Sequence, residues 1–225
     1  MSAPLSLIVF GATGAIGREV IQLAKGDHTI GHVHAVMRRP SGDQSDSITE
    51  HALDTVLSGA ATDWGNHPPA TVAMVCLGTT LRQAGSVDAF QAVDRDLVLQ
   101  VADWCVRENI QSIHIISALG ADASKRHYYN RTKGQMEQGV RDRAIPTTVF
   151  YQPSLLYGAT RTDARRLEGL GYYPLRALTC LPGLKLYAPI HVQTVAKAML
   201  AGTGSATKGC HWVRSQIMQT WASNK

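Results

Sequence analysis

Charge is scarce in this sequence: Asp, Glu, Lys and Arg together make up only 17% of its 225 residues. Disordered and strongly solvated chains carry far more, so the scarcity points to a packed fold. Basic residues outnumber acidic ones by 22 to 17, a formal charge of +5. No run of five or six basic residues and no basic–aromatic stripe accompanies that excess, which argues against nucleic acid as a partner. A mildly basic enzyme that handles an anionic ligand fits better. No apolar run approaches the roughly 20 residues of a membrane span. The opening MSAPLSLIVFGATG has neither a basic region nor a long apolar one behind it, so no signal peptide is expected. The four cysteines (Cys76, Cys105, Cys180 and Cys210) lie far apart and form no CxxC pair. Reduced thiols in a cytoplasmic protein are the expectation. Nine histidines show no HxxxH or HExxH spacing. His32 and His34 share one face of a predicted strand, but two ligands without a third make a weak site, so no metal is expected.

What is present suits one α/β domain. Hydrophobic residues reach 44%, enough for a sizeable core. Short β-branched runs alternate with helical patterns through the first two-thirds, the signature of βαβ units and a parallel sheet. The predicted strands are 5–10, 32–37, 47–52, 71–77, 111–117 and 147–151, several of them near-continuous apolar runs of the kind covered on both faces. Phe90, Val93, Leu97, Val101 and Trp104 recur every three or four residues and predict a helix. A second helix is predicted from about Tyr128 to Arg143, ending before Pro146. The expected fold is a Rossmann-like doubly wound parallel sheet, with 1–152 as the cofactor-binding core and 153–225 as a short substrate-side region that does not fold alone. Within that region 191–200 reads as helix and 210–213 as a late strand, whereas 169–189 reads as irregular structure over a pocket.

LIVFGATGAIGREV sets Gly11, Gly14 and Gly17 between a predicted strand and a helix. A GxxGxxG turn at that place allows a backbone to approach a pyrophosphate and a helix to pack closely on the sheet, while the helix N-terminus offers free N–H groups to the phosphates. Thr13, Ala15 and Ile16 belong to the same expected dinucleotide contact. An NAD-binding chain usually places an acidic residue about 20 residues further on; this one has Arg38 and Arg39. Guanidinium groups pair with a 2′-phosphate and stack on adenine, so NADP is expected rather than NAD. Asp54 suits either an acceptor for the adenine amino group or a helix N-cap. Leu77, Gly78 and Thr79 follow the fourth strand and are expected under the cofactor at the carboxyl edge of the sheet.

RHYYNRTKGQ raises the question of which tyrosine works with Lys133. Tyr129 stands four residues before the lysine and shares its helix face, whereas Tyr128 points about 100° away. Ser117 closes the fifth strand twelve residues before Tyr129. GxxGxxG, Ser and YxxxK in this order resemble the short-chain dehydrogenase/reductase superfamily. CLGTT, VDRDLVL and YNRTKG, followed by QPSLLYG and PIHVQTVAKAM, resemble its atypical branch of TIP30-like NAD(P)-binding oxidoreductases and their bacterial relatives.

The resemblance implies hydride transfer between NADPH and a small carbonyl or alcohol substrate. Tyr129 would be the general acid/base, Lys133 would favour the phenolate and hold the nicotinamide ribose, and Ser117 would hydrogen-bond the carbonyl. Tyr129, Lys133 and Pro153 complete the implied cofactor contacts, and a monomer or homodimer is expected. Two positions depart from the family pattern. Asp94 stands where many members have an asparagine of a proton relay, and Gln152-Pro153 stands where relatives often have Arg-Pro. The short substrate-side region leaves little room for a nucleotide-sugar pocket. A redox-silent NADPH sensor and a nucleotide-sugar epimerase are the competing readings. Leu155, Tyr157, Tyr172 and Tyr173 suit either a substrate pocket or core packing.

Overall fold

Strand β1 (Leu5–Phe10) divides its side chains between two apolar layers, with Leu7 and Val9 entering one and Ile8 and Phe10 the other. All four are fully buried. Covering on both faces explains why the strand reads as a continuous apolar run rather than an alternating one. The computed structural model describes residues 4–41, 45, 47–59, 62, 64–158 and 187–223. In chain order β1 is followed by β2 (Ile30–Met37), β3 (Ile48–Ala52), β4 (Val72–Val75), β5 (Ser112–Ile116), β6 (Thr147–Gln152), β7 (Leu156–Tyr157), β8 (Ile190–His191) and β9 (Gly209–Arg214). Seven of these form one parallel sheet in the order β3-β2-β1-β4-β5-β6-β9. β7 and β8 make a separate two-residue parallel pair.

The order reverses between β2-β1 and β1-β4, and the crevice above that switch point is where ligands bind in doubly wound sheets. Helix α1 (Ala15–Ala24) supplies Ile16 and Val20 to one layer. There they meet Val195 and Met199 of α7 (Val192–Ser205) and Met218 of α8 (Ser215–Ser223). The other layer holds Val56 of α2 (Leu53–Leu57), Val98, Val101 and Trp104 of α5 (Leu97–Arg107), and Met136 and Val140 of α6 (Tyr128–Arg141). Two short helices, α3 (Leu81–Ala84) and α4 (Val87–Gln91), precede α5, and a π turn at Ala92–Asp96 joins α4 to α5. The helix predicted over Phe90–Trp104 is therefore interrupted by a wider turn, a feature common at functional sites.

Two expectations need adjustment. β4 ends at Val75, so Cys76–Thr79 leave the sheet and become the loop above it. The division at residue 152 has no counterpart in the sheet: β9 pairs with β6 along its length, and α7 packs on the α1 side. These elements of the last third thus complete the core itself. Tyr172, Tyr173, Cys180 and most of the 169–189 stretch lie outside the described residues. Among the described residues no helix is long and apolar enough to cross a membrane.

Candidate active site

Two adjoining cavities of about 530 and 460 Å³ open at the carboxyl ends of β1, β4 and β5. The glycine turn lies between them. Gly11 has φ +80, which a side chain would strain, and a Cβ there would come within 2.8 Å of the Cys76 carbonyl oxygen. A Cβ on Gly17 would lie 2.3 Å from the Gly11 oxygen, so α1 can sit this close to its own turn only with glycine there. Gly14 is the N-cap of α1, with no side-chain cap and no acidic residue in the first turn. The amides at this helix start are therefore open to an anion. That cradle fits the pyrophosphate of a nicotinamide dinucleotide.

Most residues expected at the site converge here. Gly11, Thr13, Gly14, Arg38, Leu77, Gly78 and Thr79 line the first cavity. The second is lined by Gly14, Ala15, Ile16, Leu77, Gly78, Thr79, Ser117, Tyr129, Lys133 and Pro153, together with Asp94 and Leu155. Gly17, Arg39 and Asp54 line neither cavity. Gly17 is buried under its helix in the packing role expected of it. Arg39 follows Arg38 in the bend after β2 and is exposed. Asp54 is exposed in the first turn of α2, behind an N-cap at Ala52, where a carboxylate complements the helix dipole rather than an adenine. Tyr128 does not stand clear of the cleft as its helical angle suggests. Its ring lines the second cavity and meets Phe90 edge-on at 5.5 Å. Tyr157 packs against His191 instead of lining the cavity.

Lys133 is almost fully buried, and its Nζ lies 2.7 Å from Asp94 Oδ1 and 3.4 Å from the Ile116 carbonyl. The other Asp94 oxygen accepts the Thr79 N–H at 2.8 Å. At position 94 the structure therefore has an ion pair anchored to the cleft loop. Tyr129 titrates above its ordinary value. Burial is the largest cause; Lys133 opposes it, and Asp94 and Tyr128 add to it. The expectation that Lys133 favours the phenolate is met only as an opposing influence. Cys76, beside the glycine turn, is a thiol pushed up to about 12 by desolvation and is no nucleophile.

Sequence reasoning missed Glu137. It stands four residues after Lys133 and eight after Tyr129, on the same face of α6, and that spacing was the available signal. Its carboxylate accepts the Ser117 hydroxyl, Gln152 Nε2 at 2.9 Å and Trp212 Nε1 at 2.9 Å. Ser117, expected to face the substrate carbonyl, thus turns its proton towards a buried carboxylate. The same network accounts for Gln152 where relatives often carry arginine: it donates to Glu137.

Away from the cleft, His32, His34, His51 and His67 gather beside Trp64. His34 Nδ1 lies 3.0 Å from His51 Nε2, and its Nε2 lies 3.0 Å from the Pro68 carbonyl. His32 Nε2 bonds Thr49 Oγ1. Among the described residues no group of three or more His, Cys, Asp or Glu has a geometry that could hold a metal ion.

No family model matches the chain. Protein FMP52, mitochondrial, of Lodderomyces elongisporus is 29% identical over 160 residues, 68% of this chain and 67% of that protein. Protein HTATIP2 of Rattus norvegicus is 28% identical over 169 residues, 73% of this chain and 68% of its own length. Among solved structures, MoeE5 in complex with UDP-glucose and NAD superposes with a TM-score of 0.67 at 16% identity, covering 97% of this chain and 81% of that one. A short-chain dehydrogenase/reductase superfamily protein from Agrobacterium tumefaciens with bound NAD gives 0.65 at 12% identity, covering 93% and 77%. The expectation of a cytoplasmic protein is overturned by the fungal relatives, which are named mitochondrial. The chain has the parallel Rossmann-like fold of the NAD-binding proteins it superposes on, and over some two-thirds of its length it is similar to HTATIP2 and FMP52.

Proposed function

We propose that the chain is an NADP-dependent oxidoreductase that reduces a small carbonyl substrate, with Tyr129 as proton donor. One observation carries this reading: Tyr129, Lys133 and Ser117 share the wall of a cavity whose floor is the uncapped start of α1. Gly11, Gly14 and the amides of Ala15 and Ile16 would hold the pyrophosphate, and Arg38 at the rim of the first cavity would pair with a 2′-phosphate. NADPH, when bound, supplies the hydride. The protein's own part is to orient the carbonyl and deliver a proton from the Tyr129 hydroxyl, an effect worth roughly 10²–10⁴-fold in rate. Ser117 donates its proton to Glu137, so in this arrangement it can accept from the alcohol product but would have to turn to donate to the carbonyl.

A second reading, an NADPH-binding sensor without turnover, draws on the same geometry. Lys133 is paired to Asp94 and Ser117 to Glu137, so both helpers of the tyrosine have other partners. NADPH consumption measured against aldehydes, ketones and quinones separates the two. Tyr129-dependent consumption with any of them supports the reductase, and tight NADPH binding with none supports the sensor. Calorimetric titration of NADPH and NADH tests the cofactor: equal affinities would end the NADP assignment.

A further inference from the structure

Lys133 is the only described cation lining the second cavity, and its charge is already matched. Asp94 holds Nζ at 2.7 Å with both side chains buried, and the Thr79 N–H fixes the second carboxylate oxygen. The π turn places this carboxylate opposite α6. A Cβ on Gly78 would lie 3.5 Å from Asp94 Oδ1, so the cleft loop closes over the pair. Water has little access to screen either charge. The described charged or titratable groups acting on Tyr129 are Lys133 and Tyr128 on its own helix and Asp94 across from it, while Phe90 of α4 covers its ring at 5.6 Å. Glu137 faces Ser117, Gln152 and Trp212 instead.

A buried lysine beside a buried phenol draws it towards phenolate; a carboxylate in contact with that lysine cancels much of the pull. We propose that Asp94 is a positioning residue that keeps Tyr129 a protonated phenol by pairing with Lys133, so that the site gives up a proton over the neutral range and takes one only in alkali. The inference rests on the reading of Tyr129 as proton donor and adds a direction to it. In reduction the carbonyl carbon receives a hydride, two electrons and a proton, from the reduced nicotinamide. The carbonyl oxygen takes the Tyr129 proton, and water reprotonates the phenolate left behind. In oxidation the phenolate must exist first, so the alcohol reaction waits for higher pH. The substrate class follows: a ketone, aldehyde or quinone consumed near neutrality, supplied by reactions that oxidise alcohols or catechols elsewhere.

The test is an ultraviolet titration of the full chain that isolates Tyr129 by subtracting the Tyr129→Phe variant. The parent should show no Tyr129 phenolate at about pH 9, one unit below a free phenol. Asp94→Asn preserves volume and an acceptor for Thr79 while removing the charge, and should show a clear phenolate signal there. Asp94→Ser, smaller and also uncharged, serves if the asparagine variant does not fold. A Tyr129 phenolate already present in the parent at that pH overturns the proposal without any Asp94 variant, and so does an unchanged titration in a folded one. The result is independent of turnover. A panel without a substrate removes the reductase reading and leaves the titration standing, whereas an unchanged titration removes the role of Asp94 and leaves the reductase reading. With a substrate in hand, Asp94→Asn should move the alkaline optimum of alcohol oxidation towards neutral pH.

Discussion

Strand β2 serves two polar regions of opposite character. At its carboxyl end Arg38 meets the cleft, where the buried groups form ionic or charge-assisted contacts: Asp94 with Lys133, and Glu137 under three donors. Further back on the same strand, His32 and His34 are equally buried among His51, His67 and Trp64. There desolvation selects the neutral imidazole: the His34 pKa is lowered to about 4, chiefly by burial, with the Pro68 carbonyl opposing and the neighbouring histidines adding. A charge survives burial only where a partner and extra hydrogen bonds compensate its lost hydration. The cleft has those partners, and His34 does without charge.

The sharpest test of the cleft is Tyr129→Phe, expected to lower kcat/KM by roughly 10²–10⁴-fold while NADPH affinity stays within about twofold. Tyr128→Phe, whose ring only borders the cavity, should lose less than about tenfold. The reverse ranking in steady-state kinetics would mean that the wrong hydroxyl has been chosen.

Next in size is the ion pair. Lys133→Met leaves Asp94 buried without its counter-ion and should destabilise the fold by roughly 3–5 kcal/mol in urea unfolding. Lys133→Met with Asp94→Leu should recover most of that loss, because no uncompensated charge remains. If both variants unfold alike, packing rather than charge governs this corner.

Arg38→Ala should weaken NADPH binding by about 10–100-fold and leave NADH unchanged, the scale of a charge-assisted hydrogen bond. Arg39→Ala should change neither by more than about twofold. Calorimetry with both cofactors decides, and equal losses for the two arginines would contradict their different placement.

The histidine region gives the smallest effect, read as a slope. His34 has a folded pKa of about 4 against an ordinary 6.5, so the unfolded chain binds more protons between these values. Stability is thus fully present above pH 6.5 and declines as pH falls towards 4. His114, lowered to about 3 by burial, acts in the same sense. Urea midpoints should be flat from about pH 8 to 7 and fall below 6.5. His34→Phe should reduce that slope without abolishing it; an unchanged slope would mean His34 is not the group concerned.

The sequence made one of these regions far more legible than the other. Periodicity located the sheet because parallel strands buried on both faces leave a plain apolar signal. The glycine turn and the Tyr129–Lys133 pair were readable because each is local. What could not be read depends on side chains meeting across elements. Asp94 stood out as a departure, but its contact with Lys133 requires the π turn, and apolar spacing does not register one extra residue in a turn. Glu137 was visible as a helix-face neighbour of Lys133, yet two of its donors come from β6 and β9, 15 and 75 residues away. His51 joined His34 for the same reason, register between strands rather than spacing within one, and His67 reaches His32 from the loop before β4.

The last strand of the sheet also sets an order of events. β9 follows β6 by more than fifty residues in the chain, so a polypeptide leaving the ribosome can pair the first six strands while the β6 edge is still open. The glycine turn and the Tyr129–Lys133 helix precede β9 in the chain, whereas the Trp212 donor to Glu137 comes with it. Docking of β9 covers an adhesive edge and delivers the third donor to the carboxylate that holds Ser117. Closure of the sheet edge and completion of the hydrogen bonds around that carboxylate therefore come with the same strand.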